Sequence, residues 1–74
     1  MRVYYECTEI VAESSTTEPD FIRIDITEKS EDERLEILSA IRDQFKNKKY
    51  QLVIHYCHHD ENKPCMFKTI EVIS

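Results

Sequence analysis

Residues 21–49, FIRIDITEKSEDERLEILSAIRDQFKNKK, contain the two patterns that decide the fold. The first is a strict alternation over residues 21–27, which turns three isoleucines to one side of the chain and Phe21, Arg23 and Asp25 to the other. An alternation with a period of two residues is typical of a strand with one buried face. We therefore predict a half-buried strand over residues 21–27.

The second pattern begins with a capping box at Ser30-Glu31-Asp32-Glu33. The Ser30 hydroxyl can accept a hydrogen bond from the Glu33 amide, while the Glu33 carboxylate reaches back to the Ser30 amide. The three acidic residues also favour the positive end of a helix dipole. Apolar residues then recur at helical spacing, at Leu35, Ile37, Leu38, Ile41 and Phe45. This pattern predicts a helix over residues 31–46, with Asn47 as the left-handed residue that ends it.

Strand patterns lie on both sides of this segment. Residues 2–12 precede it, and residues 51–59 and 65–73 follow it, joined by a polar connection of hairpin type over residues 60–64. The order β-β-α-β-β predicts an α+β fold with a four-stranded, mainly antiparallel sheet covered on one face by a single helix. We expect the spatial strand order 1-2-4-3, because a crossover that skips one strand then leaves every neighbouring pair antiparallel.

The composition limits the class of protein. The 74 residues include 15 acidic and 10 basic side chains, a formal net charge of −5, and no glycine. A chain of this length predicts a single domain over residues 1–74. Phosphate-binding loops, dinucleotide-binding turns and the nucleophile elbow of hydrolases all require glycine, so these sites are excluded. The acidic balance also makes nucleic acid an unfavourable partner.

Neither a signal peptide nor a membrane span is indicated, because no apolar run has the necessary length. Three cysteines are too few, and odd in number, for the disulfide framework of a secreted domain. We therefore expect a soluble, cytoplasmic protein that does not bind a membrane.

One helix covers one face of a sheet, so the other face must meet water or a partner. The alternation predicts that the helix covers Ile22, Ile24, Ile26, Leu52, Ile54, Tyr56, Ile70 and Val72. The open face then carries an aromatic and apolar set mixed with polar residues: Tyr4, Phe21, Arg23, Asp25, Val53, His55, Phe67, Thr69, Glu71 and Ile73.

An exposed apolar patch of this kind is typical of an association surface. The main prediction is a small acidic protein-interaction module or stoichiometric inhibitor, without a cofactor. It would bind a protein partner, or a second copy of itself in a homo-oligomer, through the open sheet face or a strand edge. The predicted binding residues are Tyr4, Phe21, Arg23, Val53, His55 and Phe67.

A cluster of histidine and cysteine supports an alternative function. In His55-Tyr56-Cys57-His58-His59-Asp60, a hairpin loop over residues 60–64 places His59 opposite Cys65, with Cys57 two residues back on the same face. Thiolate and imidazole are preferred zinc ligands, so the alternative is a small zinc-binding protein using Cys57, His59 and Cys65. Asp60, Glu61 or His55 would supply a fourth ligand. The paired C-x2-C knuckles of most structural zinc sites are missing.

The same cluster gives little support to catalysis, and we expect no enzyme. Cys57 and His58 are sequence neighbours in a strand and point to opposite faces, which leaves His55 and His59 as partners for a Cys57 nucleophile. A sheet of this size under one helix also offers little room for an enclosed substrate pocket.

The charge is polarised along the chain. Most of the acidic residues lie in the first half, and Lys46, Lys48 and Lys49 follow the predicted helix. Such a surface favours docking on a basic partner. A second alternative is therefore an acidic mimic of nucleic acid that blocks a nucleic-acid-binding protein, although a net charge of −5 is modest for that role.

Overall fold

The computed structural model describes residues 1–12, 16, 18–58 and 61–74. Its elements are β1 (Arg2–Glu9), β2 (Phe21–Asp25), α1 (Glu31–Gln44), β3 (Tyr50–Cys57) and β4 (Met66–Ile73). The four strands form one sheet in which every neighbouring pair is antiparallel. Apolar residues of α1 pack with those of the strands in one core. The predicted α+β fold and its element order are confirmed.

The helix begins where the capping box predicts. Ser30 is the N-cap, and its hydroxyl oxygen accepts from the Glu33 amide at 3.2 Å. The Glu33 carboxylate accepts from the same hydroxyl rather than from the Ser30 amide. The helix ends at Gln44, earlier than predicted; Phe45 is its C-cap and is only 1% exposed. Asn47 is not left-handed; among the described residues, the one positive φ belongs to Asn62, in the turn before β4.

The spatial order of the strands is β2-β1-β3-β4, so the predicted order 1-2-4-3 is wrong. The central strands are those that supply the fully buried residues of the sheet. Val3, Tyr5 and Cys7 of β1 and Tyr50 and Leu52 of β3 belong to the core. The edge strands β2 and β4 contain no buried residue. A central strand has a neighbour on each side and buries more apolar surface than an edge strand. The order that places β1 and β3, with their core residues, at the centre is therefore favoured.

An irregularity in β4 corrects the predicted faces of that strand. Val53 pairs with Thr69 but its neighbour Leu52 pairs with Glu71, which leaves Ile70 as an extra residue. The bulge reverses the alternation of side chains between the two faces beyond it. The Glu71 carboxylate accepts a hydrogen bond from Nε of Arg42 on α1 at 2.8 Å. Glu71 and Ile73 therefore lie on the helix side, and Val72 lies on the open face.

None of the helices in the described part of the chain is long and apolar enough to cross a membrane.

Candidate metal centre

Two cysteines and one histidine meet at one end of the sheet, on the open face. Cys57 is the last residue of β3 and lies two residues from His55, so both side chains point to the same face. Cys65 directly precedes β4, and the register that pairs Tyr56 with Met66 places it opposite Cys57 when continued by one residue. The hairpin therefore brings all three side chains together.

The three side chains are close enough to share one cation. One imidazole nitrogen of His55 and the Sγ atoms of Cys57 and Cys65 all lie within 4.8 Å of one another. Ligands of a tetrahedral zinc ion are separated by about 3.5–4 Å, given bond lengths of about 2.0–2.3 Å. The separations need a contraction of at most about 1.3 Å to match a zinc ion. All three cysteines are thiols, and Cys57 and Cys65 are half-buried.

The two ring nitrogens of His55 have different surroundings: one contacts a carboxylate, and the other has no hydrogen-bond partner among the described residues. Its Nδ1 lies 2.6 Å from Oε2 of Glu6, an acceptor for a hydrogen bond donated by the Nδ1–H group. Its Nε2 is buried and has no hydrogen-bond partner among the described residues. Leaving a buried polar atom unsatisfied costs about 1–3 kcal/mol. A carboxylate on one ring nitrogen and a lone pair on the other is the arrangement found in metal-binding histidines.

Glu6 on β1 connects His55 of β3 to the edge strand β2. Its Oε2 also accepts from Nε of Arg23 at 3.0 Å, so one buried carboxylate oxygen bridges a histidine of β3 and an arginine of β2. The guanidinium carbon of Arg23 lies 5.6 Å from the ring centre of Tyr4 and 5.8 Å from that of Phe21. The Glu6 side chain is 10% exposed whereas that of Arg23 is 52% exposed, which places the carboxylate beneath the guanidinium.

Aromatic side chains hold the imidazole from both sides. The ring of Phe67 on β4 stacks on His55 with centres 4.3 Å apart and planes 23° apart. The ring of Tyr4 on β1 lies 5.6 Å from it on the other side. These contacts explain why His55, on the face not covered by α1, is only 8% exposed. The ring is therefore fixed in the orientation that its bond to Glu6 requires.

Burial raises the pKa of Cys65 and of Cys7. Desolvation raises the pKa of Cys65, and the adjacent thiol of Cys57 adds to the increase, while a backbone hydrogen bond at His58 opposes it. Desolvation also raises the pKa of Cys7, to about 11. Cys7 is fully buried in the core under α1, on the opposite side of the sheet, and takes no part in the cluster.

The structure brings two of the three predicted metal ligands close together. Cys57 and Cys65 meet as predicted, whereas His59, like Asp60, lies outside the described residues. Within the described ranges, the imidazole beside the two thiols is that of His55, which was predicted as a fourth ligand. His58 instead contacts Glu61 at 2.9 Å. Glu61 is therefore engaged elsewhere.

The predicted binding residues all lie on the open face. The register pairs Tyr4 and Phe67 with His55, and Val53 with Glu6. Phe21 and Arg23 lie two residues apart on β2, so both point to the same face. The prediction missed Glu6, although its position two residues from Tyr4 placed it on the same face. Its contact with His55 depends on β1 lying beside β3, which the predicted strand order did not allow.

Comparison with protein-family models, characterised proteins and solved structures gives no significant match to this chain.

Proposed function

We propose that this protein is a small metal-binding domain that holds a thiophilic divalent cation, with zinc as the best fit, through His55, Cys57 and Cys65. The observation that carries the proposal is the imidazole of His55, which lies beside two thiols and whose buried Nε2 has no hydrogen-bond partner among the described residues, while Nδ1 contacts Glu6. A cation bound there satisfies the buried nitrogen and uses the carboxylate contact to orient the ring.

The chemistry of the donor atoms selects the class of cation. Sulfur and imidazole nitrogen suit zinc, copper(I) and related ions, whereas magnesium and calcium prefer oxygen. Two thiolates balance the charge of one Zn²⁺, so binding releases two protons and is stronger at higher pH. Zinc takes four ligands, and these three residues supply three. A His59→Ala variant determines whether the predicted ligand His59 contributes to affinity.

The proposal is tested by titrating the reduced, metal-free protein with zinc in the presence of a competing chelator. We expect one zinc ion per chain, and Co²⁺ as a substitute should give the absorption of thiolate-to-cobalt charge transfer. At a zinc concentration about 100-fold above Kd, binding stabilises the fold by about 2.7 kcal/mol. For a domain of this size, that energy raises Tm by roughly 10 °C or more.

A matched control for this titration is Cys7→Ala, which removes the one thiol that lies on the other side of the sheet. This variant should bind zinc and Co²⁺ with the affinity of the wild-type protein. The proposal is wrong if the wild-type protein binds no stoichiometric zinc, or if its Tm is the same with zinc and with chelator.

Protein binding through the open sheet face is the second candidate function, and the exposure of its apolar residues favours it. Phe67 is 61% exposed, Phe21 53% and Val72 49%, and α1 does not cover this face. Exposed aromatic residues of this kind are typical of association surfaces. The proposed partner is a protein, including a second copy of this chain. The acidic-mimic hypothesis has less support, because Asp20 and Asp25 form ion pairs with Lys48 and Arg2.

Self-association through this face predicts a mass that rises with concentration toward that of two chains. We expect the increase in sedimentation equilibrium with chelator present, and we expect Phe21→Ser to abolish it by removing an exposed aromatic contact. Leu35→Ser is the matched control, since Leu35 is 60% exposed but lies on α1. A strictly monomeric wild-type protein at high concentration, or equal loss in both variants, contradicts self-association through the face.

A further inference from the structure

The two cysteines of the cluster are cross-strand neighbours as well as candidate ligands. The register of β3 and β4 ends at Tyr56 and Met66, and one further step along it reaches Cys57 and Cys65. Directly opposite residues of an antiparallel pair have Cα atoms about 4.5–5.5 Å apart. A disulfide requires Cα atoms about 4.4–6.8 Å apart, a range that includes the spacing of directly opposite residues.

The side chains meet the other requirements for such a bond. The two Sγ atoms lie within 4.8 Å of each other, and both residues are half-buried, so a small reagent can reach them. Cys57 and Cys65 also interact directly as thiols. Cys7 has neither property, because it is fully buried on the other side of the sheet.

We propose that Cys57 and Cys65 form a reversible intramolecular disulfide on exposure to a small-molecule disulfide such as oxidised glutathione. The inference that this bond excludes the metal rests on the function proposed above. Sulfur atoms joined in a disulfide no longer act as thiolate ligands, which leaves His55 alone. The same residues thus have two exclusive states, a reduced pair that binds the cation and an oxidised pair that does not.

The reaction proceeds in two exchange steps. The sulfur of one cysteine, as thiolate, attacks the reagent and forms a mixed disulfide, which releases one glutathione thiol. The second cysteine sulfur then attacks the protein sulfur of that mixed disulfide and releases the second glutathione thiol. Two protein thiols lose two electrons and two protons in total, and one oxidised glutathione becomes two reduced molecules. Excess thiol reverses both steps.

The test incubates reduced, metal-free protein with oxidised glutathione and follows intact mass and peptide maps. We expect a product lighter by two hydrogen atoms, with Cys57 linked to Cys65 and Cys7 still a thiol. In the Cys65→Ser variant, the second step is blocked, so a glutathione adduct on Cys57 should accumulate instead. An adduct that persists on the wild-type protein, or no reaction at the two cysteines, overturns the proposed disulfide.

Zinc binding to the two redox forms distinguishes this inference from the function on which it rests. We expect the oxidised protein to lose stoichiometric zinc binding and to recover it after reduction, and we expect bound zinc to slow disulfide formation. If the oxidised protein binds zinc as tightly as the reduced protein does, metal exclusion is wrong. If the disulfide forms but the reduced protein binds no zinc, the proposed metal-binding function is wrong and the redox site stands.

Discussion

Replacing Cys57 and Cys65 together by serine should weaken zinc binding by at least about 100-fold, because a serine hydroxyl stays protonated near neutral pH and replaces a thiolate poorly. The loss should exceed that from any change outside the ligand set, since both negatively charged donors are removed. The affinity is measured by competition with a chelator, and the thiolate-to-cobalt absorption should disappear with it.

The folded state of this double variant should survive, which keeps the result interpretable. Both cysteines are half-buried at one end of the sheet, and neither belongs to the core under α1. We expect its metal-free Tm to stay close to that of the metal-free wild-type protein. Unchanged zinc affinity in the folded double variant would place the cation elsewhere, for example among the carboxylates, and would falsify the assigned ligands.

Replacing Glu6 by alanine should lower the free energy of unfolding by about 1–3 kcal/mol, the cost of leaving a buried polar group without its hydrogen-bond partner. Its carboxylate is the acceptor for both His55 and Arg23, and the Glu6 residue is only 8% exposed. Without it, the buried imidazole has neither ring nitrogen satisfied within the described part of the chain. Urea denaturation of the metal-free proteins measures the difference.

Glu6→Gln is the variant that separates folding from metal binding. The amide oxygen can still accept a hydrogen bond from His55, so we expect a smaller loss of stability than with alanine. Zinc affinity should fall by about 10–100-fold, as it does when the carboxylate behind a metal-binding histidine is removed.

The matched control for both Glu6 variants is Glu36→Gln on α1. Glu36 is exposed, so its replacement should change the unfolding free energy by no more than about 0.5 kcal/mol and leave zinc affinity unchanged. Equal stability of Glu6→Ala and the wild-type protein contradicts the importance of the Glu6 contacts. Equal zinc affinity of Glu6→Gln and the wild-type protein contradicts the role of Glu6 in orienting His55.

The helix was predictable because its signals are local. Ser30 and Glu33 are three residues apart, and their reciprocal contacts depend on the backbone of one turn. The end of the helix was less predictable, because no glycine follows it and the predicted terminator Asn47 is not left-handed. The metal cluster follows the same division: Cys57 and Cys65 come together through one hairpin, whereas the contact of His55 with Glu6 joins residues 49 positions apart.

Sequence alone determined the α+β fold, the element order and the concentration of thiols and imidazoles near the β3–β4 connection, because periodicity and hairpin pairing act over short distances. Tertiary structure alone decided that β1 lies beside β3, that Glu6 supports His55, and that the bulge turns Glu71 toward Arg42. The physical reason is that strand pairing over long separations depends on the apolar surface that the whole sheet buries. The pattern of one strand does not show how much apolar surface the assembled sheet buries.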